Sequence, residues 1–151
     1  MTEPQIVVAK FLGAWFSYCA LWALTILHFV CLSRWATLDW GGIATGYLGT
    51  WLLGAVLIAI GGLASSLTHN QIIAAVIGFV ILLLLFCVGF LESFVTSPDS
   101  RKLVQYFSLL YHFQDFSKGI LDTRPLVFYG STLAVTLFLT MRAVGSPRWR
   151  S

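Results

Sequence analysis

Charge is what this sequence has least of. Of 151 residues, 10% are Asp, Glu, Lys or Arg and 58% are hydrophobic, whereas a water-soluble domain is about 25% charged. So few charges do not coat a surface that faces water, which predicts that lipid covers much of the outside; the mean hydropathy of +0.87 agrees. Catalytic and nucleotide signatures are also absent. There is no G-x-x-x-x-G-K-[ST], so no P-loop for ATP, and no H-E-x-x-H, G-x-S-x-G or G-x-G-x-x-G. Cysteine is scarce: Cys19, Cys31 and Cys87 are odd in number, form no C-x-x-C pair and lie in or beside apolar runs. That excludes a disulfide framework, gives a metal site no support, and predicts three buried small hydrophobes. The net charge of +3 is spread along the chain rather than patched, so nucleic acid is not an expected partner.

What is present is long apolar runs. Spans are predicted over about 11–32, 43–64, 72–91 and 125–144, each of about 20 residues and long enough for the hydrocarbon core. The fold class expected is therefore all-α, a polytopic transmembrane bundle of about four helices in a single domain over 1–151. The first run is longer than the 7–15 residues of a signal-peptide core, so a retained helix is expected. Trp15, Tyr18 and Trp22 lie within it and Trp35 and Trp40 just beyond, residues that favour the headgroup boundary. The second run and its trailing edge are rich in small residues, with Gly54, Ala59, Gly61 and Gly62 among them. Dispersion contact at small residues drives helix association in lipid, so these four are the expected packing positions and this helix the expected centre. The turn that follows is short enough to force an antiparallel hairpin, and Thr68 or Asn70 suits the cap of the next helix.

Residues 92–124 break the pattern, with four acidic and four basic side chains. Between Arg101 and Leu121, Leu103, Tyr106, Phe107, Leu110, Phe113, Phe116 and Ile120 recur at helical spacing, opposite Lys102, Gln105, Ser108, His112 and Asp115. This predicts one amphipathic helix with an aromatic face, lying at the interface or against the bundle, or equally an ordinary packed extramembrane helix, ended or bent at Gly119. Asp122 and Thr123 suit a cap for the last span and Pro125 its first turn. Ser108, His112 and Asp115 fall at i, i+4 and i+7, the order of a serine, a base and an orienting acid. A triad also requires an oxyanion hole and a cleft, which nothing in the sequence supplies, so the polar side of an amphipathic helix is the preferred reading and no catalytic residue is assigned. Glu92 and His28 fall near span ends and read as interfacial. The spans are nearly free of charge, which argues against a proton-coupled pump.

Basic residues do not decide sidedness by number: Lys10, Arg142, Arg148 and Arg150 stand on the side of the termini, and Arg34, Arg101, Lys102, Lys118 and Arg124 on the other. Three of the first group crowd the end of the last span, which favours cytoplasmic termini.

Four stretches carry a family likeness. They are Gly46-Tyr47-Leu48-Gly49; Ala59 to Gln71, with Ser65, Ser66, Leu67, Thr68, Asn70 and Gln71; the opening Gln5 to Leu12; and His112 to Arg124, with Phe113, Phe116, Gly119, Asp122 and Thr123. Together they resemble the permease subunits of ABC-2 type transporters, closest to the gliding-motility-associated branch. The resemblance implies a plasma-membrane (bacterial inner membrane) exporter subunit that does no covalent chemistry, needs no cofactor, and works with a separate P-loop ATPase subunit and a second permease copy. It also implies cytoplasmic termini and an extracytoplasmic position for 92–124. The match covers spans three to six of six, so the missing N-terminal half, with the segment that receives the ATPase, is expected upstream or on another polypeptide. The alternative expectation is a non-transporting membrane accessory or assembly protein.

Overall fold

The computed structural model describes residues 3–91, 94–120 and 122–145. Among them are six α-helices and no strand: α1 (Glu3–Leu32), α2 (Trp40–Ser66), α3 (Gln71–Leu91), α4 (Pro98–Phe107), α5 (Leu109–Ser117) and α6 (Thr123–Val144). Four of them, α1, α2, α3 and α6, are long and apolar enough to cross a membrane. Their charge sits at the edges. α2 and α3 hold no charged residue, and in α6 only Arg124 and Arg142, near its two ends, are charged.

The ends of the helices follow local chemistry. Asp39 caps α2 by accepting a 3.0 Å hydrogen bond from the Gly41 N–H. The Asn70 side chain accepts from the Ile72 N–H at 2.9 Å, and the Thr68 hydroxyl accepts from the Asn70 N–H at 3.2 Å, so both residues proposed for this cap take part. Asp122 accepts from the Arg124 N–H at the start of α6, with Pro125 in the first turn. α1 is longer than its apolar run. It begins at Glu3 rather than near Phe11, and its 30 residues reach about 45 Å, more than the hydrocarbon thickness of about 30 Å.

α2 is the centre of the bundle, touching α1, α3, α5 and α6. Of its most apolar stretch 39% is buried, against 17% in α6, 11% in α3 and none in α1. The core joins Val56 and Ile60 of α2 to Leu109 and Phe116 of α5 and Tyr129 of α6. α1 is held to α2 by a polar-aromatic seam. Trp15 Nε1–H donates to the Trp51 carbonyl at 3.1 Å, Tyr18 O–H to the Thr50 carbonyl at 3.3 Å, and the Thr25 and Tyr47 hydroxyls bond each other. The Tyr18 ring occupies the place where a Cβ on Gly54 would stand, so the glycine is what lets this ring in.

Two expectations are corrected here. The segment after α3 is not one amphipathic helix but two, α4 and α5, broken at Ser108 (φ −79°, ψ 114°). Ser108 ends the first through its N–H on the Gln105 carbonyl, and caps the second by accepting from the Tyr111 N–H on its hydroxyl. A serine competes with the helical backbone in this way, and here that competition wins. The break turns the faces as well: Ser108 and His112 are buried, whereas Leu103, Tyr106 and Ile120 are exposed. Leu121 and Glu92 lie outside the described residues. The cysteines are the second correction. Cys31 and Cys87 are exposed and Cys19 is half-buried. An apolar side chain on a membrane-type helix has hydrocarbon as its solvent, so burial inside protein is not demanded of it.

α5 sits in a bed made by glycines. A Cβ on Gly49 would stand 2.6 Å from the Phe116 Cβ, and one on Gly89 would stand 2.8 Å from Leu110 Cδ1. The helix ends in a Schellman turn. Gly119, at φ +78°, donates to the Phe116 carbonyl and Ile120 donates to the Asp115 carbonyl, both at 3.1 Å. Gly119 thus ends α5 as its position suggested, in a conformation that glycine adopts without strain.

Candidate functional site

A cavity of about 1000 Å³ opens between α4, α5 and the first half of α6. Lys102, Asp115, Asp122 and Arg124 line it toward the start of α6, and the half-buried Leu85 and Thr132 and the buried Thr136 line it further along. One end therefore offers charge of both signs and the other offers apolar surface with hydroxyl oxygens.

His112 lines the cavity, and Tyr129 packs behind it in the core. His112 is 7% exposed, and its ring stacks on Phe128 at 4.3 Å between centroids and 6° between planes. Its Nδ1 lies 2.9 Å from the Ser108 carbonyl oxygen. A carbonyl only accepts, so Nδ1 carries the proton, and in the uncharged ring Nε2 is the acceptor. Tyr129, 1% exposed, donates its O–H to the Leu109 carbonyl at 2.7 Å and ties α6 to α5. The break at Ser108 is thus fully used: N–H, carbonyl and hydroxyl all have partners. Irregular backbone inside a membrane-type bundle persists only where protein satisfies it in this manner.

The same geometry separates the three residues aligned in the sequence. The Ser108 hydroxyl is bonded to the Tyr111 N–H, and the imidazole is bonded to a backbone carbonyl rather than to Asp115. A Ser–His–Asp relay, in which the base holds the serine and the acid holds the base, is not formed by these groups.

The remaining marked residues fall at the two ends of α6. His112, Asp122 and Thr123 meet at the cavity; Phe116 is in the core, Phe113 is half-buried, and Gly119 forms the turn. Ser65 and Ser66 lie at the far end, in a groove of about 540 Å³ between α1, α2 and α6 that Ala59, Gly61 and Gly62 also line. Leu67 is exposed, Thr68 and Asn70 build the turn, and Gln71 opens α3. Of the four proposed packing positions, Gly54 and the buried Ala59 meet neighbours, whereas a Cβ on Gly61 or Gly62 would touch nothing within 4 Å.

Sequence reasoning passed over Tyr129, Phe128 and Gly89. It also passed over Thr132, Thr136 and Thr140, whose hydroxyls donate to the carbonyls four residues back at 2.8, 2.7 and 2.8 Å. Their four-residue spacing was a readable sign of one helix face; nothing local marked Tyr129 or Gly89, whose partners come from α5. Comparison of the chain with family models, with curated proteins and with solved structures returns no match.

Proposed function

We propose that this chain is a membrane-spanning permease subunit of an ABC-2 type exporter, embedded in the plasma membrane with both termini in the cytoplasm and residues 92–124 on the outer side. The observation that carries the reading is the cavity at the N-terminal end of α6, charged toward the start of that helix and hydroxyl-bearing further along. It has the volume of a small-molecule site, about 300–1,000 Å³. α2 and α3 carry no charged residue, α6 only Arg124 and Arg142 near its ends, and α1 only Glu3 and Lys10 in its first third, so the long helices offer no chain of charged groups to relay protons. The energy for movement then comes from a P-loop ATPase on a partner chain, and this chain performs no covalent step. A second permease copy, or a polypeptide carrying two further spans, completes the pathway in this reading.

The test is purification of the tagged chain from native membranes in mild detergent, with mass spectrometry of what comes with it. A P-loop ATPase at fixed ratio is expected, and its hydrolysis rate in proteoliposomes should fall at least several-fold when Thr136→Trp fills the cavity. Recovery at fixed ratio with another membrane protein and no ATPase would sink the transport reading and establish the accessory one.

A further inference from the structure

The groove at the opposite end of α6 has a polarity gradient of its own. Lys10 of α1 and Ser65 of α2, both exposed, line it, with Ile6 and Val7 one turn nearer the start of α1. Phe11, Ala14, Ile58 and Leu137 line the part further in. Among the described residues no acidic side chain lines it. The Ser66 and Thr140 hydroxyls spend their protons on the Leu63 and Thr136 carbonyls at 2.7 and 2.8 Å, so these walls present no unspent donor to an occupant. Gly61 and Gly62 leave the slot open where side chains would otherwise stand.

We propose that this groove holds one acyl chain of an anionic phospholipid, with the headgroup phosphate at Lys10. Beside membrane-type helices a slot lined mainly by apolar side chains, with its polar groups few, gives water little to bind. The surrounding hydrocarbon is the occupant at hand, and a slot of about 540 Å³ is small beside a helix some 10–12 Å across. A second copy of this chain meets an electrostatic objection. In a two-fold contact centred on the groove the two Lys10 side chains would be brought together, and among the described lining residues none is acidic. Since chain burial gains little for a lipid already in hydrocarbon, the charge at Lys10 sets the selectivity. The proposal is independent of the transport reading, because it uses neither the outer cavity nor a partner ATPase.

The experiment is native mass spectrometry of the full chain in detergent with phosphatidylglycerol and phosphatidylcholine of identical acyl chains. One phosphatidylglycerol is expected to be retained, in about five-fold preference, the size given by one lysine at an anionic surface. Lys10→Gln should erase that preference while leaving both lipids bound weakly and alike. Gly61→Leu and Gly62→Leu, whose side chains enter empty space, should release the lipid with the circular dichroism unchanged. Equal retention of the two lipids by the unaltered chain would overturn the proposal. So would retention that persists in the folded glycine variants, or a dimer mass that Gly62→Leu abolishes, which would make the groove a helix interface. Lys10 is on the surface, so its arm decides the matter even if the glycine variants do not fold.

Discussion

Tyr129 is a side chain on which two elements depend. Its ring lies in the core beside Phe116, and its hydroxyl is spent on the Leu109 carbonyl of a different helix. Tyr129→Phe keeps the packing and removes the bond, so it should cost about 1 kcal/mol, the net worth of one hydrogen bond. Tyr129→Ala adds a cavity and should cost about 3–5 kcal/mol. Urea or thermal unfolding of the detergent-solubilised protein reads both, and equal losses for the two variants would show that the hydroxyl, not the ring, holds α5. His112 is a positioning counterpart: its Nδ1–H bond to Ser108 and its stack on Phe128 hold the imidazole in one orientation at the cavity wall.

For α5 the decisive quantity is clearance rather than hydrophobicity. At Gly49 an added Cβ meets the Phe116 Cβ at 2.6 Å, next to its own backbone, whereas at Gly89 the nearest atom, at 2.8 Å, is the far end of Leu110, which can turn away, and Leu110 Cβ and Ser108 Oγ stand less tightly at 3.3 Å. Gly49→Ala should therefore destabilise by about 1–3 kcal/mol while Gly89→Ala costs less, since overpacking is expensive only where the neighbour does not yield. Trypsin cleavage after Lys102 and Lys118 measures the seating of this region, and should quicken in Gly49→Ala well before it does in Gly89→Ala. The cap between α4 and α5 is testable in the same assay. Ser108→Ala loses the bond to the Tyr111 N–H and should cost about 1 kcal/mol.

Across the whole molecule the large apolar side chains are largely on the outside. Phe16, Leu21, Leu24 and Leu27 of α1 and Ile72, Phe79 and Leu84 of α3 are each more than 60% exposed. Such a surface is stable against hydrocarbon and sticky in water, so the protein should be monodisperse only with detergent or lipid present. Cys87, on the outer face of α3, reports the solvent directly. A nitroxide there, with Cys19→Ala and Cys31→Ala removing the other thiols, should be relaxed by oxygen, which dissolves in lipid, and little affected by a water-soluble nickel chelate. The reverse result would place α3 in water and dismantle the membrane reading.

The four long helices were legible in the sequence because apolarity over about 20 residues is a property of each run by itself. The caps at Asn70 and Asp122 and the turn at Gly119 were legible for the same reason, since each is made within a few residues of chain. What only the tertiary structure decided is how residues 98–117 meet the bundle. Spacing alone assigned Ser108 and His112 to a wet face, because helical periodicity says which residues share a side and not which side turns inward. The break at Ser108, the glycine bed at Gly49 and Gly89 and the bond from Tyr129 turned that side in. The break is made locally, but the glycine bed and the Tyr129 bond join α5 to distant elements, and so the cavity beside His112 exists only once α2, α3 and α6 have come together.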